Sequence, residues 1–150
     1  MSVIEDKFDR WKQHEELAEA MIPIVGKLHR EKDVTILLHS RSLVNKSVVS
    51  ILKTHRFARM IEGEELSVHS TFPFLQAIAD LDLGAAKIDL ALLLAAYKEH
   101  GEGQSVAEFT AQALADATGD NKATPPGPQD VVLYGFGRIG RLVTRLLVEK

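Results

Sequence analysis

The residues with the clearest chemical spacing are the glycines of the run Gly135-Phe136-Gly137-Arg138-Ile139-Gly140. An apolar, strand-like stretch, Asp130-Val131-Val132-Leu133-Tyr134, precedes them. Arg141 to Lys150 follows, with Leu142, Val143, Leu146 and Leu147 at helical spacing. Strand, Gly-x-Gly-x-x-Gly and helix, in that order, form the arrangement that binds a dinucleotide. Gly135 permits the tight turn, Gly137 lets a pyrophosphate approach the backbone, and Gly140 lets the helix pack against the strand. The amides and dipole of the helix then face the phosphates. The acid that usually meets the ribose, about 20 residues further on, would fall past Lys150.

A second group is set apart by charge. From Val34 to Ile61 there is no acidic residue, while Arg41, Lys46, Lys53, Arg56 and Arg59 are basic. With a helix starting after Ser42, the residues Arg41, Ser42, Lys46 and Ser47 gather at its N-terminus, where amides and dipole favour an anion. The alternative is a solvated helix face paired with acids elsewhere. Nucleic acid is not indicated, because no aromatic residues interleave with these charges for stacking. The six histidines show no HExxH pair and no short spacing suited to one metal. Glu64-Glu65 has no partner acid and receives no acid–base role. With no cysteine in the chain, thiolate metal sites, a redox CxxC pair and a cysteine nucleophile are all excluded within these residues.

The elements that position these groups are mostly helical. Ile4, Phe8, Trp11, Leu17, Met21, Val25 and Leu28 form one apolar stripe over Val3 to Leu28. Pro23 predicts a kink or break near Ala20 to Pro23, and Phe8 and Trp11 read as core or helix–helix contacts. Val34-Thr35-Ile36-Leu37-Leu38 reads as a buried strand. Leu43, Val44, Val48, Ile51 and Leu52 predict a helix capped by Ser42 and running to about Arg59, with Glu62 to Glu65 as its exit loop. Pro73, tolerated in a first helical turn, predicts a helix from about Ser70 to Asp80. Leu83-Gly84 closes it, and Ile88 to Tyr97 predicts another, ended by Gly101 and Gly103. Ser105-Val106-Ala107-Glu108 is a capping-box pattern opening a helix to about Ala117.

From residue 119 to 129 the texture changes, with Pro125-Pro126-Gly127-Pro128 unable to sustain a helix or a ladder of donors. This reads as a stiff linker, with a surface loop inside one domain as the alternative. The expected organisation is a helical domain over 1–118, a Pro-rich linker over 119–129, and the start of a Rossmann unit over 130–150. The fold class is mainly α with one short strand before that strand-turn-helix.

At 150 residues, 45% hydrophobic and 26% charged, the chain is long enough to bury a proper core without disulfides or metals. Its formal charge of −3 argues against a nucleic-acid coat. The first residues lack the basic-then-apolar order of a secretory signal. Leu90 to Tyr97, the longest apolar stretch, is eight residues, against about 20 for a membrane-crossing helix. A cytoplasmic protein without membrane association is expected.

The string Tyr134-Gly135-Phe136-Gly137-Arg138-Ile139-Gly140-Arg141-Leu142-Val143 closely resembles the opening of glyceraldehyde-3-phosphate dehydrogenase, over about residues 131 to 148. The family usually carries asparagine where this sequence has Tyr134. The longer segment before it, including Arg41 to Ser47 and Glu64-Glu65-Leu66-Ser67-Val68, resembles the helical extension of long-form members. The resemblance implies that Gly135, Phe136, Gly137, Arg138, Ile139 and Gly140 serve an NAD or NADP site, with the backbone of Arg138 and Ile139 on the pyrophosphate. It further implies a phosphorylating oxidation of a small phosphorylated aldehyde to an acyl phosphate in a parent enzyme of glucose metabolism. The family's cysteine nucleophile and its histidine partner are not among these residues, so the chain is expected to be an inactive N-terminal part. The missing portion would take on the order of 300 further residues. Two other readings are a helical module for protein interaction or self-association, and a regulatory anion-binding domain.

Overall fold

A computed structural model describes residues 3–122 and 130–148. The first helix, α1 (Val3–Lys32), runs through Pro23 without a break. The proline costs about 3 kcal/mol in a helix interior. Burial outweighs this, because Ala18, Met21, Val25 and Leu28, on both sides of the proline, are all fixed in the same core. The N-terminal half is different. Phe8 is 70% and Trp11 51% exposed, so neither is the core contact that the apolar stripe suggested.

Asp33, in a left-handed conformation (φ 53°), turns the chain out of α1 into β1 (Val34–Leu38). The strand has the bounds expected of it, with Val34, Ile36 and Leu38 fully buried on one face. It then forms a two-residue hairpin with β2 (Arg41–Ser42), pairing Leu38 with Arg41. Ser42 is therefore a strand residue and not a helix cap. Asn45 (φ 55°) turns the chain again, and Ser47 is the residue that caps α2 (Val48–Phe57), accepting a bond from the Ser50 amide. The helix starts later than its apolar spacing suggested because Leu43 is claimed by the sheet. Its amide donates to the Ile36 carbonyl at 2.9 Å and its side chain is buried.

A single turn, α3 (Arg59–Glu62), ends at left-handed Gly63. Then α4 (Val68–Asp80) begins at a Ser67 cap, so Pro73 lies inside the helix beyond its first turn. The next segment differs from expectation. Ala86–Asp89 is a strand, β3, parallel to β1 with Val34 opposite Ala86 and Ile36 opposite Ile88. Ile88 thus belongs to the sheet, whose order is β2-β1-β3. Helix α5 (Leu90–His100) opens only after an Asp89 cap. The capping box of Ser105 and Glu108 is formed as the pattern indicates, opening α6 (Val106–Ala113), which is followed by two short 3-10 turns. Burial of β1 between helices explains the architecture: α1 and α5 pack on it, α4 packs on α1, and α5 and α6 pack on α4.

The mainly α fold class holds, with a small mixed sheet at its centre. Contacts of this unit reach past Thr118: Leu83 bridges Thr118, the Gly84 amide donates to the Ala117 carbonyl, and Lys122 pairs with Asp82. That pair holds the Asp82 carboxyl below its usual range. The Pro-rich stretch 123–129 lies outside the described residues. Among those described, no helix is long and apolar enough to cross a membrane.

The hairpin turn offers one test. His39 (φ 47°) and Ser40 (φ 62°) both occupy the left-handed region, the type I′ geometry that glycine takes at least cost. Ser40→Gly is expected to stabilise the fold by about 1 kcal/mol, since an L side chain pays about that much there. Chemical denaturation of the two proteins checks it.

Candidate dinucleotide-binding turn

The glycine run lies between an extended segment and α7 (Arg138–Val148). Gly135 has φ 98°, a conformation that side chains rarely adopt, so glycine is required for the backbone itself. Gly140 is required for a different reason. A Cβ placed there would stand 2.5 Å from the Gly135 carbonyl oxygen, so a methyl group would force the turn apart from the first turn of the helix.

Gly137 meets neither demand. Its φ is not positive, and a Cβ built on it would meet nothing within 4 Å. The fold of the chain gives no reason for glycine there, and the open space beside it is what a close-approaching ligand needs. The Gly137 carbonyl accepts from the Arg141 amide at 3.1 Å, so the helix begins just after it. The amides of Arg138, Ile139 and Gly140 then have no acceptor within the helix. Arg138 and Arg141 add positive charge at this end of the helix, with no acid in the first turn. Open backbone, free first-turn amides and unopposed cations fit a pyrophosphate.

The strand expected at Asp130–Tyr134 does not form. These residues make no ladder, and Val132 is 91% exposed. A strand is defined by at least one hydrogen-bonded neighbour, and none of the described residues pairs with this segment. The apolar side of α7 is uncovered for the same reason: Ile139, Leu142, Leu146 and Leu147 are exposed, and no residue of α7 is buried. Of the predicted site residues, Gly135 to Gly140 come together in one turn, with the Phe136 and Ile139 side chains in solvent.

The histidines form no cluster of that kind. His14 and His69 rings stand 5.0 Å apart, and His55 is buried. No group of three metal-binding side chains occurs among the described residues.

No family model matches the chain. Over 132 residues, 87% of this chain, the sequence is 48% identical to a glyceraldehyde-3-phosphate dehydrogenase-like protein of Pseudomonas aeruginosa (strain UCBPP-PA14). That alignment is far longer than the glycine-bearing tail, so most of the matched residues lie in the helical unit. The chain is a homologue of part of that dehydrogenase-like protein. It spans 29% of the relative's length. The likeness therefore extends over the helical unit.

Sequence reasoning missed two residues that hold the helical unit together. Asp89 accepts bonds from three backbone amides, and His55 joins α2 to α4 through Thr71. Asp89 carried a readable signal, an acid directly before the apolar run Leu90 to Tyr97. His55 carried none, since its partner lies 16 residues away.

Proposed function

We propose that this chain is a portion of a glyceraldehyde-3-phosphate dehydrogenase-like oxidoreductase, comprising a helical unit and the first strand-turn-helix of its NAD(P) site. The carrying observation is Gly137, a glycine that the chain's own packing does not require, at the point of the turn where a pyrophosphate would approach the backbone. Gly135 and Gly140 shape the turn, and the amides of Arg138 and Ile139 hold the phosphates. When bound, the nicotinamide supplies the hydride acceptor. In the parent the substrate would be a small phosphorylated aldehyde, oxidised to an acyl phosphate through a cysteine that this chain does not contain.

Two expectations follow from that division of labour. The chain is expected to show no turnover with aldehyde, phosphate and either cofactor, because thiol-dependent acyl transfer needs a thiol. Its affinity for NAD or NADP is expected to be weak, since one strand-turn-helix lacks the adenine pocket and ribose partner. Titration of both cofactors followed by amide NMR should shift the resonances of residues 135–140, and Gly137→Val should remove those shifts. Shifts confined to the helical unit, or none with either cofactor at millimolar concentration, would withdraw the carrying observation.

The helical unit is proposed to fold by itself. Because no side chain of α7 is buried, a chain ending at Lys122 is expected to melt at the same temperature as the whole. A lower melting temperature would place residues 130–150 in its core.

A further inference from the structure

We propose that the concavity between β2 and α2 binds the phosphate groups of a small, multiply phosphorylated metabolite. This inference does not depend on the dinucleotide turn. The concavity has a volume of about 450 Å3 and is lined by Arg41, Ser42, Lys46, Ser50, Lys53 and Thr54. Three of these are cations, three carry hydroxyls, and none is a carboxylate. The composition follows from the acid-free stretch in the sequence, which also gathered Arg41, Ser42 and Lys46; the structure replaces Ser47 with Ser50, Lys53 and Thr54 as their neighbours in the hollow. Ser42 lies on β2, and the second wall is the α2 face that presents Ser50, Lys53 and Thr54 one turn apart.

The backbone builds the hollow. Leu43 is buried and tied to Ile36, and left-handed Asn45 redirects the chain so that Lys46 comes to line the same hollow as Arg41. The Arg41 guanidinium stacks on the Phe57 ring at 3.5 Å. That contact holds a five-donor planar group in place before any ligand arrives, which lowers the ordering cost of binding. None of Arg41, Lys46 and Lys53 makes an ion pair among the described residues. Three like charges around one hollow repel one another, and an anion of two or more charges reverses the sign of that interaction.

The chemistry favours phosphate esters over simpler anions. A guanidinium and two ammonium groups offer more donors than a carboxylate can accept, and a tetrahedral oxyanion matches them from several directions. The volume exceeds that of inorganic phosphate alone and lies in the range of small-molecule sites. Ser42 and Ser50 provide hydroxyls for the polar body between phosphates, whereas the buried Thr54 hydroxyl donates to the Ser50 carbonyl at 2.9 Å. A nucleic-acid strand is disfavoured, because the Phe57 ring face is already taken by Arg41 and no other aromatic residue lines the hollow.

The test is amide NMR on the whole chain, titrated with inorganic phosphate, with a hexose bisphosphate, and with sodium chloride at matched ionic strength. Expected are shifts at residues 41–46 and 50–54, with the bisphosphate at least roughly tenfold tighter than phosphate. The double variant Lys46→Ala, Lys53→Ala should weaken bisphosphate binding at least roughly tenfold with an unchanged melting temperature, since both side chains are exposed. Equal shifts with chloride would mean charge screening only and overturn the proposal. Absence of shifts with either phosphate overturns it as well. Binding to phosphatidylglycerol vesicles without binding to the soluble phosphates would replace it with a lipid surface.

Discussion

Asp89→Ala is expected to cost the helical unit about 4 kcal/mol, the largest loss from any single substitution of a polar side chain described above. The Asp89 carboxylate accepts from the His39 amide at 3.1 Å, the Ser40 amide at 2.7 Å and the Ala91 amide at 3.0 Å. The last of these caps α5 and contributes about 1 kcal/mol by itself. The first two hold the turn in which His39 and Ser40 are both left-handed, so their loss leaves a strained turn as well as unpaired amides. A charge-assisted bond contributes about 1.5–3 kcal/mol, and partial exposure of the turn places these two at the lower end. Asp89→Asn retains one acceptor oxygen and should lose about half as much. Thermal melts check both, with a drop of about 15 °C expected for the alanine variant at roughly 4 °C per kcal/mol. A fall of only a few degrees would show that the turn is held by the strand pairing alone.

The second large effect is on pH. His55 is buried, its Nδ1 lies 2.9 Å from the Ile51 carbonyl oxygen and its Nε2 2.8 Å from the Thr71 hydroxyl. In the neutral ring, Nδ1–H donates to Ile51 and Nε2 accepts from Thr71. Burial pushes the imidazole pKa below its ordinary value of 6.5; the bond to Ile51 opposes this in part, and the charges of His14 and His39 add to it. His14, Arg56 and Glu65 line the same small cavity as His55.

The sign follows from proton uptake. Below pH 6.5 the unfolded chain takes a proton on this residue that the folded chain still resists. Stability is therefore complete above 6.5 and is lost as the pH falls toward the depressed folded value, by at most about 1.4 kcal/mol per pH unit. His55→Gln should flatten that slope, and His55→Ala should cost about 3 kcal/mol at neutral pH through the cavity and the lost link between α2 and α4, the Thr71 hydroxyl keeping the Val68 carbonyl as its acceptor at 3.2 Å. Denaturant melts of the native protein and the glutamine variant from pH 7.5 to 5 check this. An unchanged slope in His55→Gln would assign the dependence to another group.

Legibility in the sequence followed the range of the interactions. Signals confined to a few residues read correctly: the β-branched run of β1, the Ser105–Glu108 box, and glycine where the backbone turns at 135. Signals that depended on distant partners did not. Ala86-Lys87-Ile88-Asp89 has no apolar run of its own and becomes a strand only because β1 lies beside it. Ser42 and Ser47 are equally good caps by residue type, and the contact of Leu43 with Ile36 chooses between them. Pro23 reads as a breaker, but two halves of α1 anchored in one core override it. At the candidate site the turn at Gly135 was legible, whereas Gly140 is required by the nearby Gly135 carbonyl oxygen and not by a strand, and the strand itself was not legible, since a strand is defined by its neighbours.

The sheet also has a consequence for the order of events during synthesis. β1 is central, but its parallel neighbour β3 and the acid that locks its hairpin come later, Asp89 being 49 residues after Ser40. A nascent chain that has emerged as far as α4 holds β1 with only a two-residue strand on one edge and nothing on the other. Its Val34, Ile36 and Leu38 then present an apolar strand open to pairing with another chain. Emergence of Ala86 to Asp89 ends that interval in one step, by filling the open edge and fixing the turn together.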